Sequence, residues 1–251
     1  MLNKISASII TLNEEKNLKD CLESLKDLVD EIVLVDSGSK DRTLEIAKDY
    51  KCKIFTRRFD NFANQRNFAL SKISSSWVLS VDADERITKS LAEEIKEVVN
   101  KDKYTGFLIP RRNYILGAEI KHSWWSPDKH IWLWKKGFGT WVNEVHEEVK
   151  IQGEVGELKN PKIHFQDSSI SEFIETNNNY STLAAHQLFK SGRKFSIFNL
   201  LTDPILEFFI RFIYKLGFLD GWRGLILAIL MAYYKFLVWI KLYKFNNQTS
   251  S

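Results

Sequence analysis

Cysteine is scarce in this chain of 251 residues, which contains only Cys21 and Cys52. The two residues show no metal-ligand spacing, so we expect two reduced and buried thiols of a cytoplasmic protein. Internal repeats and low-complexity segments are also lacking. The apolar run after Lys4 is too short for a secretory signal peptide because polar residues from Asn13 onward end it, and we expect no such leader.

The composition is that of a globular protein, with 44% hydrophobic and 27% charged residues. This material suffices for one domain with an appendage or for two small domains. The net charge of +4 is unevenly distributed: residues 190–251 have nine basic and three acidic side chains, a net +6, and the remainder carries −2. The basic end is also apolar and aromatic, which favours a membrane surface as partner and argues against nucleic acid.

The first hundred residues alternate apolar strands with amphipathic helices. Strands are predicted over 6–11, 31–35, 52–56 and 77–81, with helices at about 14–26, 41–50 and 62–72. Asn13 is the expected N-cap of the first helix. This rhythm predicts an α/β fold with a parallel, doubly wound sheet. A helix over about 89–100 follows, and then short strands over 105–110, 113–116, 131–135 and 148–151.

The C-terminal part is predicted to be helical. A polar helix covers 170–190, and apolar helices cover 196–245 with breaks at Gly217 and Gly221. The 17 residues from 224 to 240 would reach about 25 Å as a helix, slightly less than the roughly 30 Å of a bilayer core. Because basic residues flank this run, we favour a helix lying in the membrane interface; a true span, or burial in the protein or a dimer, are the alternatives.

Polar side chains follow three of the predicted strands where each ends. They are Thr11 to Glu14, Asp36 to Ser39, and Asp82 to Asp84. The carboxyl ends of parallel strands share one edge of a sheet, so these groups should converge there on a ligand. Asp82 and Asp84 could both reach one hard cation, Mg²⁺ or Mn²⁺, that also holds substrate phosphates.

Together these segments resemble the family 2 glycosyltransferases with the GT-A fold. The segments are residues 8–18 (SIITLNEEKNL), 31–43 (EIVLVDSGSKDRT), 64–70 (NQRNFAL) and the Asp82-Ala83-Asp84 motif. The resemblance covers roughly residues 4–150; Ser37 stands where many members have another Asp. Residues 217–221 (GFLDG) and the apolar run after them are similar to the branch that adds glucose to heptose in the lipopolysaccharide inner core.

The resemblance implies a GT-A, Rossmann-like, mostly parallel sheet flanked by helices, with a C-terminal apolar helical appendage. It implies a pocket for a nucleoside diphosphate sugar, such as UDP-glucose, formed by Thr11, Asn13, Glu14, Asp36, Arg66 and Asp82. It also implies that Asp84 binds the Mg²⁺ or Mn²⁺ cofactor directly and that Asp82 faces both the ribose and the metal. The cation would stabilise the negative charge that develops on the leaving diphosphate.

The base that deprotonates the acceptor hydroxyl is expected near the segment from Trp141 to Glu148. The family branch has a similar His-Glu pair here, so Glu147 is favoured as the base and Glu144 is the second candidate. His146 could be a third metal ligand or contact a phosphate. Trp124 and Trp125 are the candidates for stacking on the acceptor sugar, and we expect the remaining histidines, including His164, to be structural or exposed.

We therefore predict an inverting hexosyltransferase that acts on a lipid-linked saccharide, peripherally bound at the cytoplasmic face of the inner membrane. Its catalytic domain is expected over 1–190, with a nucleotide-sugar half over about 1–100 and an acceptor half over about 101–190. Residues 191–251 form the membrane-associating tail. Two alternatives stay open: a Mg²⁺-dependent phosphatase that uses Asp82 and Asp84, and a non-catalytic, membrane-associated nucleotide-binding protein.

Overall fold

The computed structural model describes residues 3–101, 103–143, 147–166 and 169–248. The chain divides into two compact units. The first comprises Met1–Arg111 and Lys129–His164, and the second comprises Arg112–Asp128 and Phe165–Ser251. Residues 165–190, predicted as part of the acceptor half, thus group with the C-terminal helices.

The first unit begins with four parallel strands in the sheet order β3-β2-β1-β4. These strands are β1 (Ile5–Thr11), β2 (Glu31–Asp36), β3 (Lys53–Thr56) and β4 (Trp77–Ser80), and the helices between them are α1 (Leu18–Leu25), α2 (Thr43–Asp49) and α3 (Phe62–Lys72). The predicted alternation of strands and helices is confirmed. In this register Thr11 lies beside Asp36, which brings two of the polar strand ends together.

The sheet continues beyond β4 with strands of mixed direction, in the order β8-β6-β12-β5. The remaining elements up to residue 166 are β5 (Glu85–Ile87), α4 (Lys89–Val98), β6 (Gly106–Ile115), β7 (Ala118–Ile120), β8 (Asp128–Lys135), β9 (Gly139–Val142), β10 (Glu148–Ile151), β11 (Val155–Glu157) and β12 (Lys162–Gln166). β4 pairs antiparallel with β8, and β5 pairs antiparallel with β12. The predicted mostly parallel sheet flanked by helices is confirmed for its first four strands and is mixed after them.

The core of the first unit lies between the parallel strands and their helices. Leu18, Cys21, Leu22 and Leu25 of α1 are fully buried at helical spacing. Burial of a leucine side chain contributes about 1.5–3 kcal/mol, so this stripe is a main contribution to the packing of α1. Cys21 and Cys52 are both free thiols, and burial raises the pKa of each.

Two local predictions were wrong. Asn13 does not cap α1, which begins at Leu18; Asn13 instead adopts a left-handed backbone with φ +56° and bonds to the following loop. The break predicted between two strands at residues 111–112 is absent from β6, which runs without interruption from Gly106 to Ile115. Arg111 and Arg112 lie within this continuous strand, where their side chains pair with Glu85 and Glu119.

The second unit contains three long helices: α5 (Ile170–Lys190), α6 (Ile197–Phe209) and α7 (Gly221–Gln248). A π-helical turn over Ile210–Tyr214 and a 3-10 turn over Gly217–Asp220 join α6 to α7, so the predicted breaks at Gly217 and Gly221 are confirmed. Gly224 is required, because a Cβ there would lie 1.8 Å from the carbonyl oxygen of Gly217.

α7 packs on both of its neighbours within this unit. Lys241 Nζ donates to the carbonyl oxygen of Asn178 in α5, and Trp239 Nε1 donates to Asp203 of α6 at 2.8 Å. The segment Gly217–Asn247 is by length and composition apolar enough to cross a membrane: an 18-residue stretch of it has a mean hydropathy of 1.9, and 33% of that stretch is buried within the protein. Packing therefore covers about a third of this stretch, and apolar side chains such as Ile229, 51% exposed, remain accessible.

Candidate functional site

The loops after β1 and β2 are joined by hydrogen bonds at the carboxyl edge of the sheet. The backbone N–H of Asn13 donates to Ser39 Oγ at 2.8 Å, and the N–H of Lys40 donates to Asn13 Oδ1 at 2.9 Å. One residue further, the N–H of Glu14 donates to Thr43 Oγ1 at 2.8 Å. The two loops thus form one pre-arranged rim, and the left-handed backbone of Asn13 is what turns the first loop toward the second.

Asp36 shapes this rim from within. Its side chain is fully buried, and Oδ2 accepts hydrogen bonds from the N–H groups of Gly38 at 2.7 Å and Ser39 at 3.0 Å. Gly38 has φ +106°, a backbone conformation that side chains with a Cβ rarely adopt. The neighbouring Thr11 is buried, and its Oγ1 has no hydrogen-bond partner among the residues described.

Arg66 of α3 links two of the predicted site carboxylates. Its Nη2 donates to Asp82 Oδ1 at 2.8 Å and its Nε donates to Glu147 Oε1 at 3.2 Å. The guanidinium lies 4.7 Å from the ring centre of Trp141 and is 6% exposed. Burial alone would raise the pKa of Asp82, but the charges of Arg66 and Lys162 outweigh it and hold that pKa well below its usual range. Asp82 is therefore an anion at neutral pH.

Asn67, next to Arg66, fixes the strand that precedes Glu147. Its amide nitrogen donates to the carbonyl oxygen of Trp141 at 2.9 Å, and its Oδ1 accepts from the N–H of Trp141 at 3.0 Å. Arg66 thus binds two carboxylates, and the adjacent Asn67 binds the backbone of Trp141. Glu144 and His146 lie outside the described residues.

A buried ion pair supports the acidic motif. Lys162 Nζ of β12 donates to Glu85 Oε2 at 2.6 Å, and both side chains are completely buried. The same Glu85 oxygen accepts the backbone N–H of Asp82 at 2.9 Å. Burial lowers the pKa of Lys162 to about 8, although Glu85 and Asp82 act in the opposite direction. This pair was not predicted from the sequence, although Lys162 alternates with apolar residues in a strand, which is a signal for a buried lysine.

His164, two residues after Lys162, contacts the other acidic residue of the motif. Its Nε2 lies 3.2 Å from Asp84 Oδ2, and only 9% of the residue is exposed. Burial acts to lower the pKa of His164, but the charge of Asp84 raises it above its usual value. His164 is therefore not exposed, and its expected structural role includes a contact with the acidic motif. A separation of 80 residues gave no sequence signal for the contact.

Glu14 adds a further carboxylate to this edge. Its pKa is raised from 4.5 to about 7, first by burial and then by the negative charges of Asp84 and Asp82, against the hydrogen bond from Asn17. An influence of both Asp84 and Asp82 on Glu14 requires that the three groups lie near one another. Asp84 Oδ1 is buried there and has no hydrogen-bond partner in the part of the chain that the structure describes.

Trp124 and Trp125 belong to the second unit and differ from each other. Trp124 is 50% exposed, with Lys215 Nζ at 5.2 Å from its ring centre. Trp125 packs edge-on against Phe173 at 6.3 Å. Half of Trp124 is thus accessible, with the cations of Arg211 and Lys215 beside its ring, while Trp125 packs within its own unit.

Comparison with known proteins gives consistent matches. The sequence profile described as Glycosyl transferase family 2 matches residues 6–143. An uncharacterised glycosyltransferase of Rickettsia typhi is 31% identical, over 96% of this chain and 87% of that protein. The lipopolysaccharide core biosynthesis glycosyltransferase LpsC of Rhizobium meliloti is 34% identical, over 96% and 92%. Among solved structures, residues 1–349 of S. aureus TarS align with a TM-score of 0.49 and 17% identity, over 98% and 92%.

Proposed function

Because the chain belongs to glycosyl transferase family 2, we propose that it moves a hexose, with inversion, from a nucleoside diphosphate sugar to a lipid-linked saccharide. The proposed donor is UDP-glucose, and the proposed acceptor is the lipopolysaccharide inner core. The name of the R. meliloti relative, which is similar over nearly the whole chain, supports this acceptor class. Such an acceptor is embedded in a bilayer, which supports a peripheral position at the cytoplasmic face of the inner membrane.

One observation carries the proposal. At the carboxyl edge of the sheet, the buried oxygens Asp84 Oδ1 and Thr11 Oγ1 have no hydrogen-bond partners among the described residues. Buried polar atoms without partners are costly, so such atoms in a folded protein call for an explanation. A polar ligand bound at this edge would supply partners for both.

The side chains at this edge fit a divalent cation such as Mg²⁺ or Mn²⁺, which prefers oxygen ligands. Asp84 and Asp82 would hold it, and His146, which lies outside the described residues, is the candidate for a further ligand. Within the described ranges no three His, Cys, Asp or Glu side chains are already grouped as a metal site. Donor phosphates and water would therefore complete the coordination. When bound, the cation would neutralise negative charge on the departing diphosphate.

The residues of the chain have separate tasks in the transfer. The acceptor hydroxyl oxygen forms a bond to the anomeric carbon while the bond from that carbon to the diphosphate oxygen breaks, and UDP leaves. We assign the hydroxyl proton to the carboxylate of Glu147, with Glu144 as the second candidate. Arg66 fixes the orientation of Glu147 through Nε and that of Asp82 through Nη2. A base on the side opposite the leaving group gives inversion.

Purified protein incubated with UDP-glucose, manganese and a heptose-containing lipid acceptor tests this function. We expect UDP release only when acceptor is present and a product heavier by one hexose. The variant Asp84→Asn should reduce turnover by about a hundredfold or more, because a metal-binding charge is lost. Asp60→Asn is the matched control, since Asp60 pairs with Arg57 in an exposed ion pair. Equal turnover of the two variants would refute the metal assignment.

A further inference from the structure

In α6 and the π-helical turn after it, the apolar side chains are exposed and the ionisable side chains are largely covered. Every described side chain between Ile197 and Tyr214 that is more than half exposed is apolar or aromatic. Phe198 is 70% exposed, Leu201 61% and Ile205 58%, and they recur at the three- and four-residue spacing of one helical face. We call this face, which continues through Phe209 and Ile213, the α6 face.

The ionisable side chains of the same segment point the other way. Asp203 accepts a hydrogen bond from Trp239 of α7 at 2.8 Å. Glu207 is 9% exposed; its Oε1 accepts from Arg211 Nε at 2.5 Å, and its Oε2 lies 4.0 Å from Lys235. A helix on a water-soluble surface has the opposite arrangement, with charges outward and apolar residues inward. The solvent that suits the α6 face is therefore hydrocarbon.

We propose that the α6 face inserts into one leaflet of an anionic lipid bilayer, with α6 parallel to the membrane plane. Three ionisable residues lie within the segment and are held by partners in the second unit, which excludes a path for α6 across the hydrocarbon core. The depth of insertion is that of an interfacial helix, roughly 5–10 Å. This inference deepens the peripheral membrane association proposed above by naming its surface, and it moves that surface from residues 224–240 to α6.

Charge at both ends of the α6 face identifies the partner as lipid. Arg193 and Lys194 precede α6, and Lys215 follows the π-helical turn. Anionic headgroups attract basic residues beside an inserted apolar face, and Tyr214, 75% exposed, suits the interface between headgroups and chains. In a dimer that paired two α6 faces, both parallel and antiparallel packing would place the basic ends beside each other, where they would repel. A second copy of the chain is therefore the less favourable occupant.

Sedimentation of the full chain with vesicles tests the proposal. We expect binding to vesicles that contain phosphatidylglycerol and weaker binding to pure phosphatidylcholine. The double variant Leu201→Glu, Ile205→Glu should weaken binding by about tenfold or more, because charges are expensive in the hydrocarbon region. Phe138→Glu, at a 42% exposed position of the first unit, is the matched control and should bind normally. Ile229 of α7 is 51% exposed, and Ile229→Glu should weaken vesicle binding less than the double variant does.

Three results would overturn the proposal. They are unchanged binding of the double variant, no sedimentation of the wild-type chain with either vesicle, and a solution dimer that the double variant dissociates. Because the substituted side chains are exposed, the double variant should have the same melting temperature as the wild-type protein. A thermal scan verifies this. Transfer to a detergent-dispersed acceptor should persist in the double variant. Loss of vesicle binding with transfer intact thus separates this inference from the proposed reaction.

Discussion

Replacement of Lys162 by methionine tests how the acidic motif is supported. Lys162 and Glu85 are both fully buried, and their hydrogen bond is 2.6 Å long. Removal of one partner leaves the other charge buried without its counterion, which costs about 3–5 kcal/mol. Glu85 retains Arg111 at 3.5 Å, so we expect a loss in unfolding free energy near the lower end, about 3 kcal/mol.

Lys129→Met is the matched control, because Lys129 pairs with Glu157 in an ion pair whose side chains are 41% and 51% exposed. Such exposed pairs contribute about 0–1 kcal/mol. Urea unfolding followed by tryptophan fluorescence compares the two variants, since Lys162 lies over the ring of Trp132 at 3.2 Å. Equal midpoints for the two variants would refute the claim that the buried pair stabilises this edge.

The same substitution should also affect chemistry through Asp82, whose backbone N–H donates to Glu85. With Lys162 absent, Glu85 loses its closer cationic partner and keeps Arg111, so the motif is held less firmly in its orientation. We expect the concentration of manganese needed for half-maximal turnover to rise. The double variant Lys162→Met, Glu85→Gln should regain part of the stability, because the buried carboxylate is removed and only the partly exposed Arg111 loses a partner, without regaining metal affinity. Recovery of both properties would show that Lys162 acts on stability alone.

Three further predictions follow from the site. Glu14→Gln should stabilise the metal-free protein relative to wild type, and the gain should increase as pH rises from 4.5 to about 7. The reason is that the raised pKa of Glu14 makes its ionisation unfavourable in the folded state. Thermal melts across this pH range measure the gain. Trp124→Ala should raise the KM for acceptor with little change in melting temperature, whereas Trp125→Ala, which removes packing on Phe173, should cost about 3 kcal/mol. Deletion of the gene should remove one hexose and everything attached beyond it from the surface glycolipids, as weighed by mass spectrometry.

Much of the parallel half of the fold could be predicted from the sequence, because strand, helix and turn signals there are local. The contact of Thr11 with the strand of Asp36 follows from parallel pairing alone. The assignment to a glycosyltransferase family also rests on local motifs and disfavours the phosphatase and the non-catalytic alternatives.

The support of the site could not be predicted, because it comes from residues that are distant in sequence. Lys162 and His164 reach Glu85 and Asp84 only through the antiparallel pairing of β12 with β5. The position of Asn13 also depended on tertiary contacts, since its bonds to the loop after β2 replaced the expected helix cap. The exposed face of α6 could not be predicted from the sequence pattern, because the packing of α6 on α7 determines which of its sides is covered.

The fixed charges around the acidic edge have a consequence for the order of binding. The carboxylates there are already opposed by built-in cations: Arg66 beside Asp82 and Glu147, and Lys162 with Arg111 beside Glu85. Such a nearly neutralised edge attracts a free divalent ion only weakly, whereas an ion already carried by a diphosphate needs fewer ligands from the protein. We expect titration calorimetry to give little heat for manganese alone and a strong signal when manganese and UDP are added together. Cation and nucleotide would then enter as a single complex and leave as one after transfer.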